Sequence, residues 1–172
     1  EFRLLKEEDF IQVSGRPLMN QTYGTYLIDL RSSRWNRILC HHVGNLLLQA
    51  GYDGIFLDTI GDVEMNELPA HFQDTMISAA VNFIRQIRIM FSDFLVVQNN
   101  GLNKLCLSTV ELVDGICWEN PPFGQKEGSA WAEGVLKRLK TLRDEAKLQV
   151  LLLEEGGVQP DQSADCPDNR FK

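Results

Sequence analysis

The sequence lacks most of what would mark a nucleic-acid, redox or membrane protein. Its 17 Lys and Arg are outnumbered by 24 Asp and Glu, for a formal charge of −7. That balance gives no basic footprint for a phosphate backbone, so a nucleic-acid partner is not expected. No apolar run approaches the ~20 residues of a membrane-spanning helix, so membrane insertion is not expected either. Cys40, Cys106, Cys117 and Cys166 form no CxxC pair, and two of them sit in strongly apolar patterns. They read as buried thiols rather than a disulfide framework or a zinc site. GxGxxG, P-loop and GxSxG motifs are absent, which removes a phosphate cradle and a serine nucleophile elbow. No strand-like run ends in Lys, against Schiff-base chemistry. His41, His42 and His71 lack HExxH spacing and read as helix-packing or surface residues. No cofactor and no bound metal are expected. The opening Glu1-Phe2-Arg3 has neither Met nor an apolar leader, which points to a mature form or an excised piece.

What is present is a globular composition, 44% apolar and 24% charged over 172 residues. Five short apolar runs read as strands: Thr25 to Asp29, Gly54 to Asp58, Phe94 to Asn99, Gly115 to Glu119, and Gln149 to Glu154. They are near-continuous rather than alternating, as in parallel sheets buried on both faces. Helical periodicity lies between them, over Trp35 to Ala50, His71 to Met90, Asn103 to Val113 and Ser129 to Leu148, with Ser129 as an N-cap. Alternating strand and helix predict a parallel α/β fold over residues 1–155, with a loop or disordered tail over 156–172. Five strands are too few for a closed barrel, which takes about 250 residues. The sheet is either open or a fragment of a barrel.

Two strands echo each other. Asp53-Gly54-Ile55-Phe56-Leu57-Asp58 and Asp114-Gly115-Ile116-Cys117-Trp118-Glu119 both enter through Asp-Gly and reach an acid at the same offset. In similar register, Asp58 and Glu119 sit at one level on the C-terminal edge, where parallel α/β proteins place ligands. Asp53 and Asp114 fall at the opposite edge as turn residues. Asp29, Asn99, Asn100 and Glu154 end the other strands, with Gln98 and Glu155 beside them. Tyr23, Tyr26, Trp118 and Phe123 are candidates for stacking on sugar faces, and Trp118 reads equally well as a core residue. Asp62 is a candidate for the same pocket or a solvated loop acid. Two carboxylates at one mouth, with amides and aromatics around them, suit glycoside hydrolysis: one protonates the leaving oxygen, the other serves as nucleophile or base.

The run from Ile38-Leu39 through Ala50-Gly51-Tyr52-Asp53-Gly54-Ile55-Phe56-Leu57-Asp58 resembles the helix-to-strand signature of glycoside hydrolase family 114. That family comprises endo-α-1,4-polygalactosaminidases and related (β/α)8-barrel (TIM-barrel) proteins. Val97-Gln98-Asn99-Asn100-Gly101, Asp114-Gly115 through Trp118-Glu119-Asn120, and Tyr26-Leu27-Ile28-Asp29 to Trp35 resemble neighbouring parts of it in the right order. The resemblance spans roughly residues 25 to 155. It implies a partial barrel carrying the third to seventh of eight strands, and a catalytic pair at Asp58 and Glu119. By analogy with related α-acting barrels, Asp58 is the nucleophile of a retaining reaction and Glu119 the acid/base. Tyr26, Asp29, Asp62, Asn99, Asn100, Trp118 and Glu154 are then the substrate-binding candidates. Where the family often carries an Asp three residues past the first catalytic one, this chain has Gly61, with Asp62 one further. The implied partner is an amino-sugar polysaccharide, and the implied location is secreted or extracytoplasmic. Two other classes remain open: a non-catalytic saccharide-binding barrel, and a lyase holding Mg²⁺ among Asp29, Asp58, Glu119 and Glu154. Oligomeric state is not legible.

Overall fold

Apolar runs buried on two faces pack as parallel strands between amphipathic helices. In the computed structural model, which describes residues 5–123 and 129–154, four of the five expected runs do so. The chain begins with two small antiparallel pairs, β1 (Gln12–Val13) with β2 (Arg16–Pro17), and β3 (Met19–Asn20) with β4 (Thr25–Tyr26). Then follow α1 (Ser33–Ala50), β5 (Gly54–Leu57), a 3-10 turn (Ile60–Glu64), α2 (Ala70–Met90) and β6 (Leu95–Asn99). The chain continues through α3 (Leu105–Thr109), β7 (Gly115–Glu119), α4 (Ser129–Ala146) and β8 (Gln149–Leu153). β5, β6, β7 and β8 form one sheet in chain order, and every pairing in it is parallel. This is a partial TIM-barrel-like sheet, left open.

The first expected strand is a correction. Only Thr25–Tyr26 is strand, and its partner is β3 rather than the main sheet. The reason is competition for backbone groups. Ile11 N–H bonds Leu27 C=O, Leu27 N–H bonds Leu18 C=O, and Asp29 N–H bonds Asp9 C=O. The N-terminal segment thus takes up the hydrogen bonds that would otherwise pair residues 27–29 with β5. Asp9 anchors this arrangement. The Ser32 hydroxyl, the Lys6 backbone N–H and the Arg34 guanidinium hold its carboxyl down at about 2, although burial pushes it the other way.

α1 starts where the Ser32 hydroxyl accepts from Trp35 N–H, and it stops at Gly51, whose φ of 69° is the left-handed conformation that glycine takes freely. α3 is shorter than the expected Asn103 to Val113 helix. The expected cap Ser129 is the first residue of α4, and its side chain lies outside those described, as do Glu155, Cys166 and the whole of 156–172. Cys40, Cys106 and Cys117 are buried free thiols, as their apolar settings imply.

The core lies between the sheet and its helices. Met76, Phe83, Ile84 and Ile87 of α2, Val96 of β6, Ile116 of β7, and Val135 and Leu139 of α4 are all buried there. Each contributes roughly 1.5–3 kcal/mol by leaving water. Side chains alternate along a strand, so Val97, Asn99, Cys117 and Glu119 share the other, concave face. Neither β5 nor β8 has an outer neighbour in this sheet. Phe56 of β5 and Leu151 to Leu153 of β8 are accordingly about half exposed.

Candidate active site

The site is built by strand ends. Register pairs Leu57 with Gln98 and Asn99 with Cys117. Asp58 therefore stands level with Asn99 and Cys117, while Glu119 lies two residues further up β7. The equal offsets after Asp-Gly do not put the two acids at one level, which corrects that expectation. Gly54 pairs with Leu95 but Gly115 with Val97, and this two-residue stagger is the shear a barrel needs. Both acids still sit at the C-terminal edge.

Asn99 crosses the stagger. Its Nδ2 donates to Asp58 Oδ1 at 2.8 Å and to Glu119 Oε2 at 2.9 Å. The two hydrogens of an amide diverge by about 120°, so the two accepting oxygens lie about 5 Å apart, and no more than about 5.7 Å. Asn99 is buried, and its Oδ1 has no hydrogen-bond partner. Turning the amide over would aim that oxygen at two carboxylates, so the donor orientation is fixed by its neighbours.

Each of these three residues is followed by a non-glycine residue with positive φ: Thr59 at 57°, Asn100 at 55° and Asn120 at 50°. The chain turns away sharply and leaves the preceding side chain at the rim. Asn tolerates this conformation; a β-branched Thr does not, and Thr59 stores strain. Its N–H is used, donating to Asp58 Oδ1 at 2.8 Å. Asn100 Oδ1 accepts from Glu119 N–H at 3.1 Å, so Asn100 supports the site through backbone rather than facing a ligand. Gln98, fully buried on the helix side, bonds Thr109 and the carbonyls of Asn100 and Gly101.

Asp62 joins Asp58 at one cavity. Of about 410 Å³, it is lined by Ile55 to Asp58 of β5 and its turn and by Thr25 to Ile28, and is mostly apolar, with Asp58, Thr59 and Asp62 among its polar lining. Burial, with Asp58 and Glu67 nearby, pushes the Asp62 carboxyl up, although Asn20 Nδ2 donates to it at 3.0 Å. Gly61 explains why the acid is at 62: a Cβ there would stand 2.5 Å from Gly101 N and 2.8 Å from Asn100 Cβ. Tyr26 lines the same cavity and is about half exposed, packed edge-on against Phe10.

The remaining candidates are placed elsewhere. Trp118 is 2% exposed and belongs to the core on the helix side, which corrects its reading as a sugar platform. Asp29 is gripped by Arg31 through Nε at 2.9 Å and Nη2 at 2.5 Å. Burial raises its carboxyl, but Arg31 outweighs that and the net shift is downward. Glu154 is exposed just past β8. Among the described residues, no three of His, Cys, Asp or Glu are grouped as metal ligands, so Asp29, Asp58, Glu119 and Glu154 do not form one set.

Two contributions were not foreseen. Glu64 accepts the backbone N–H groups of Asn103, Lys104 and Leu105 at 2.9, 2.6 and 2.6 Å, tying the turn after β5 to the start of α3. Asp114, expected as a turn residue, also accepts from Arg88 Nη2 at 2.6 Å and Val96 N–H at 2.8 Å. Burial raises its carboxyl, and Arg88 with Val96 brings it below the usual value. An acid ahead of a strand gives no signal for either bond. No helix of the described residues is long and apolar enough to cross a membrane.

No family model and no curated protein sequence matches the chain. Among solved structures, it is similar to the glycoside hydrolase domain of PelA from Pseudomonas aeruginosa, with a TM-score of 0.63 at 19% identity over 76% of this chain and 53% of that one. A point variant of the same domain gives 0.62, at 18% identity over 77% and 54%. The likeness is one of fold, and the chain spans about half the length of those structures.

Proposed function

We propose that this chain carries the acid pair of a retaining glycoside hydrolase, with Asp58 as nucleophile and Glu119 as general acid/base. The observation that carries the reading is the amide of Asn99 held between the two carboxyls. It holds Asp58 Oδ1 and Glu119 Oε2 about 5 Å from each other, which supports the close carboxyl spacing of a double-displacement reaction over the about 6.5–9.5 Å that an inverting enzyme keeps for a water. The sequence resemblance to family 114 and the fold likeness to a glycoside hydrolase domain support the same class.

In this mechanism Glu119 gives a proton to the glycosidic oxygen as the bond to the anomeric carbon breaks. Asp58 attacks that carbon and forms a glycosyl ester. Glu119 then takes a proton from water, which cleaves the ester and frees Asp58. The Thr59 and Asn99 donors both meet Oδ1 of Asp58, and among the described residues Oδ2 has no hydrogen bond that competes with attack. Asn99 holds both carboxyls in place throughout, so little reorganisation accompanies the reaction. The substrate is an α-1,4-linked galactosamine polymer, whose free amines are cationic and suit a rim holding Asp58, Asp62 and Glu119.

The test is reducing-end release from such a polymer, with and without a chelator. Cleavage that survives chelation and is lost in both Asp58→Asn and Glu119→Gln supports the reading. Binding without cleavage favours a saccharide-binding barrel, and loss on chelation overturns the metal-free double displacement.

A further inference from the structure

β7 leads from Glu119 into a group of aromatic rings. Trp118, in the core, is met edge-on by Phe123 at 5.3 Å and by Trp131 at 5.7 Å between ring centroids. Those two rings are not covered: Phe123 is 42% and Trp131 45% exposed. Trp131 stands four and eight residues before Val135 and Leu139 on the same stripe of α4, and those two are 0% and 2% exposed. A ring half in water at a position patterned for the core calls for an explanation.

Its orientation is fixed as well. Trp131 Nε1–H donates to Asn103 Oδ1 at 3.1 Å, and Asn103 N–H is bound by Glu64. The indole is thereby tied to the turns that follow β5 and β6. Phe123 lies four residues beyond Glu119, the last residue of β7. Two rigid, half-exposed rings offer apolar faces beside a polar amide at little ordering cost. The apolar C–H face of a pyranose matches such a surface, and an amine on the sugar adds attraction to the ring face.

We propose that Phe123 and Trp131 form a stacking platform for sugar units of a polysaccharide. This rests on the hydrolase reading and narrows its substrate to chains long enough to cover both the acid pair and the platform. Monosaccharide glycosides reach only the acid pair.

The experiment uses the full chain and two probes, a soluble, partly N-acetylated α-1,4-galactosamine polymer and an aryl α-galactosaminide. In a Glu119→Gln background, Trp131→Ala and Phe123→Ala should each weaken polymer binding about fivefold to tenfold. With Glu119 intact, neither should change turnover of the aryl glycoside. Trp131→Phe, which keeps a ring, should lose less and guards against misfolding of the alanine variant. Polymer should also shield the exposed indole from acrylamide quenching, and Trp131→Phe should remove that shielding. Full polymer affinity in both alanine variants, or binding without shielding, overturns the platform while cleavage dependent on Asp58 and Glu119 leaves the hydrolase standing. No cleavage of either probe by the unsubstituted chain overturns both.

Discussion

Asp58 and Glu119 accept hydrogen bonds from one and the same nitrogen, although they stand two residues apart in register on strands that do not touch. The strand between them closes that gap with an amide. Asn99→Leu, of similar size and without donors, should therefore lower kcat by about a hundredfold, the loss typical of one preorganised donor. KM should move less than kcat, because the amide holds the reacting groups rather than a distant sugar. Steady-state kinetics on the polymer checks this; an unchanged kcat would leave Asn99 a packing residue.

The spacing of the acids has a stereochemical consequence. The first product should keep the α configuration of the bond cleaved, which proton NMR of early time points reads directly. Asp58→Ala should be inactive, and azide should restore part of the turnover as a β-glycosyl azide. A β-configured first product would make Asp58 a general base for water.

Thr59 holds a φ of 57° that its branched side chain disfavours. Thr59→Gly should relieve strain worth about 1–2 kcal/mol, set against the greater freedom a glycine gains in the unfolded chain. We expect a higher Tm together with a lower kcat, since a looser turn no longer fixes Asp58. A variant that loses both stability and activity would show that the turn is not strained.

Asp62 sets a pH dependence of opposite sign to that of Asp9. Its folded pKa is raised above the ordinary 3.8, so the folded state favours the protonated acid. Ionising it costs stability as pH rises from about 4 through the raised value, and the cost then stays constant. Asp62→Asn, which can still accept from Asn20, should raise Tm near neutral pH. The gain should vanish below about pH 4, where the acid is neutral in both states. Thermal melts across that range decide it, and a uniform decrease in Tm would contradict the assignment.

The four parallel strands were legible because each is a continuous apolar run, the pattern of parallel strands, although the edge strands β5 and β8 leave Phe56 and Leu151 to Leu153 half exposed. Thr25 to Asp29 has the same appearance and a different fate, since its hydrogen bonds go to Asp9, Ile11 and Leu18. Nothing local in residues 25–29 records that competitor. Trp118 was decidable from strand parity: if Glu119 faces the site, its neighbour faces the helices. The bridging role of Asn99 was not, because it depends on a stagger across three strands. Glu64 gave no signal, as its three partners are backbone groups some 40 positions away.

Glu64 has a dynamic consequence. A single carboxylate straps the turn beyond Asp58 to the loop beyond Asn99, and Gly61 lies flush against Gly101 within that strap. The two loops cannot breathe separately on the nanosecond scale usual for surface loops. We expect them to open as one cooperative unit, with amide exchange at Asn103, Lys104 and Leu105 that becomes faster in Glu64→Ala.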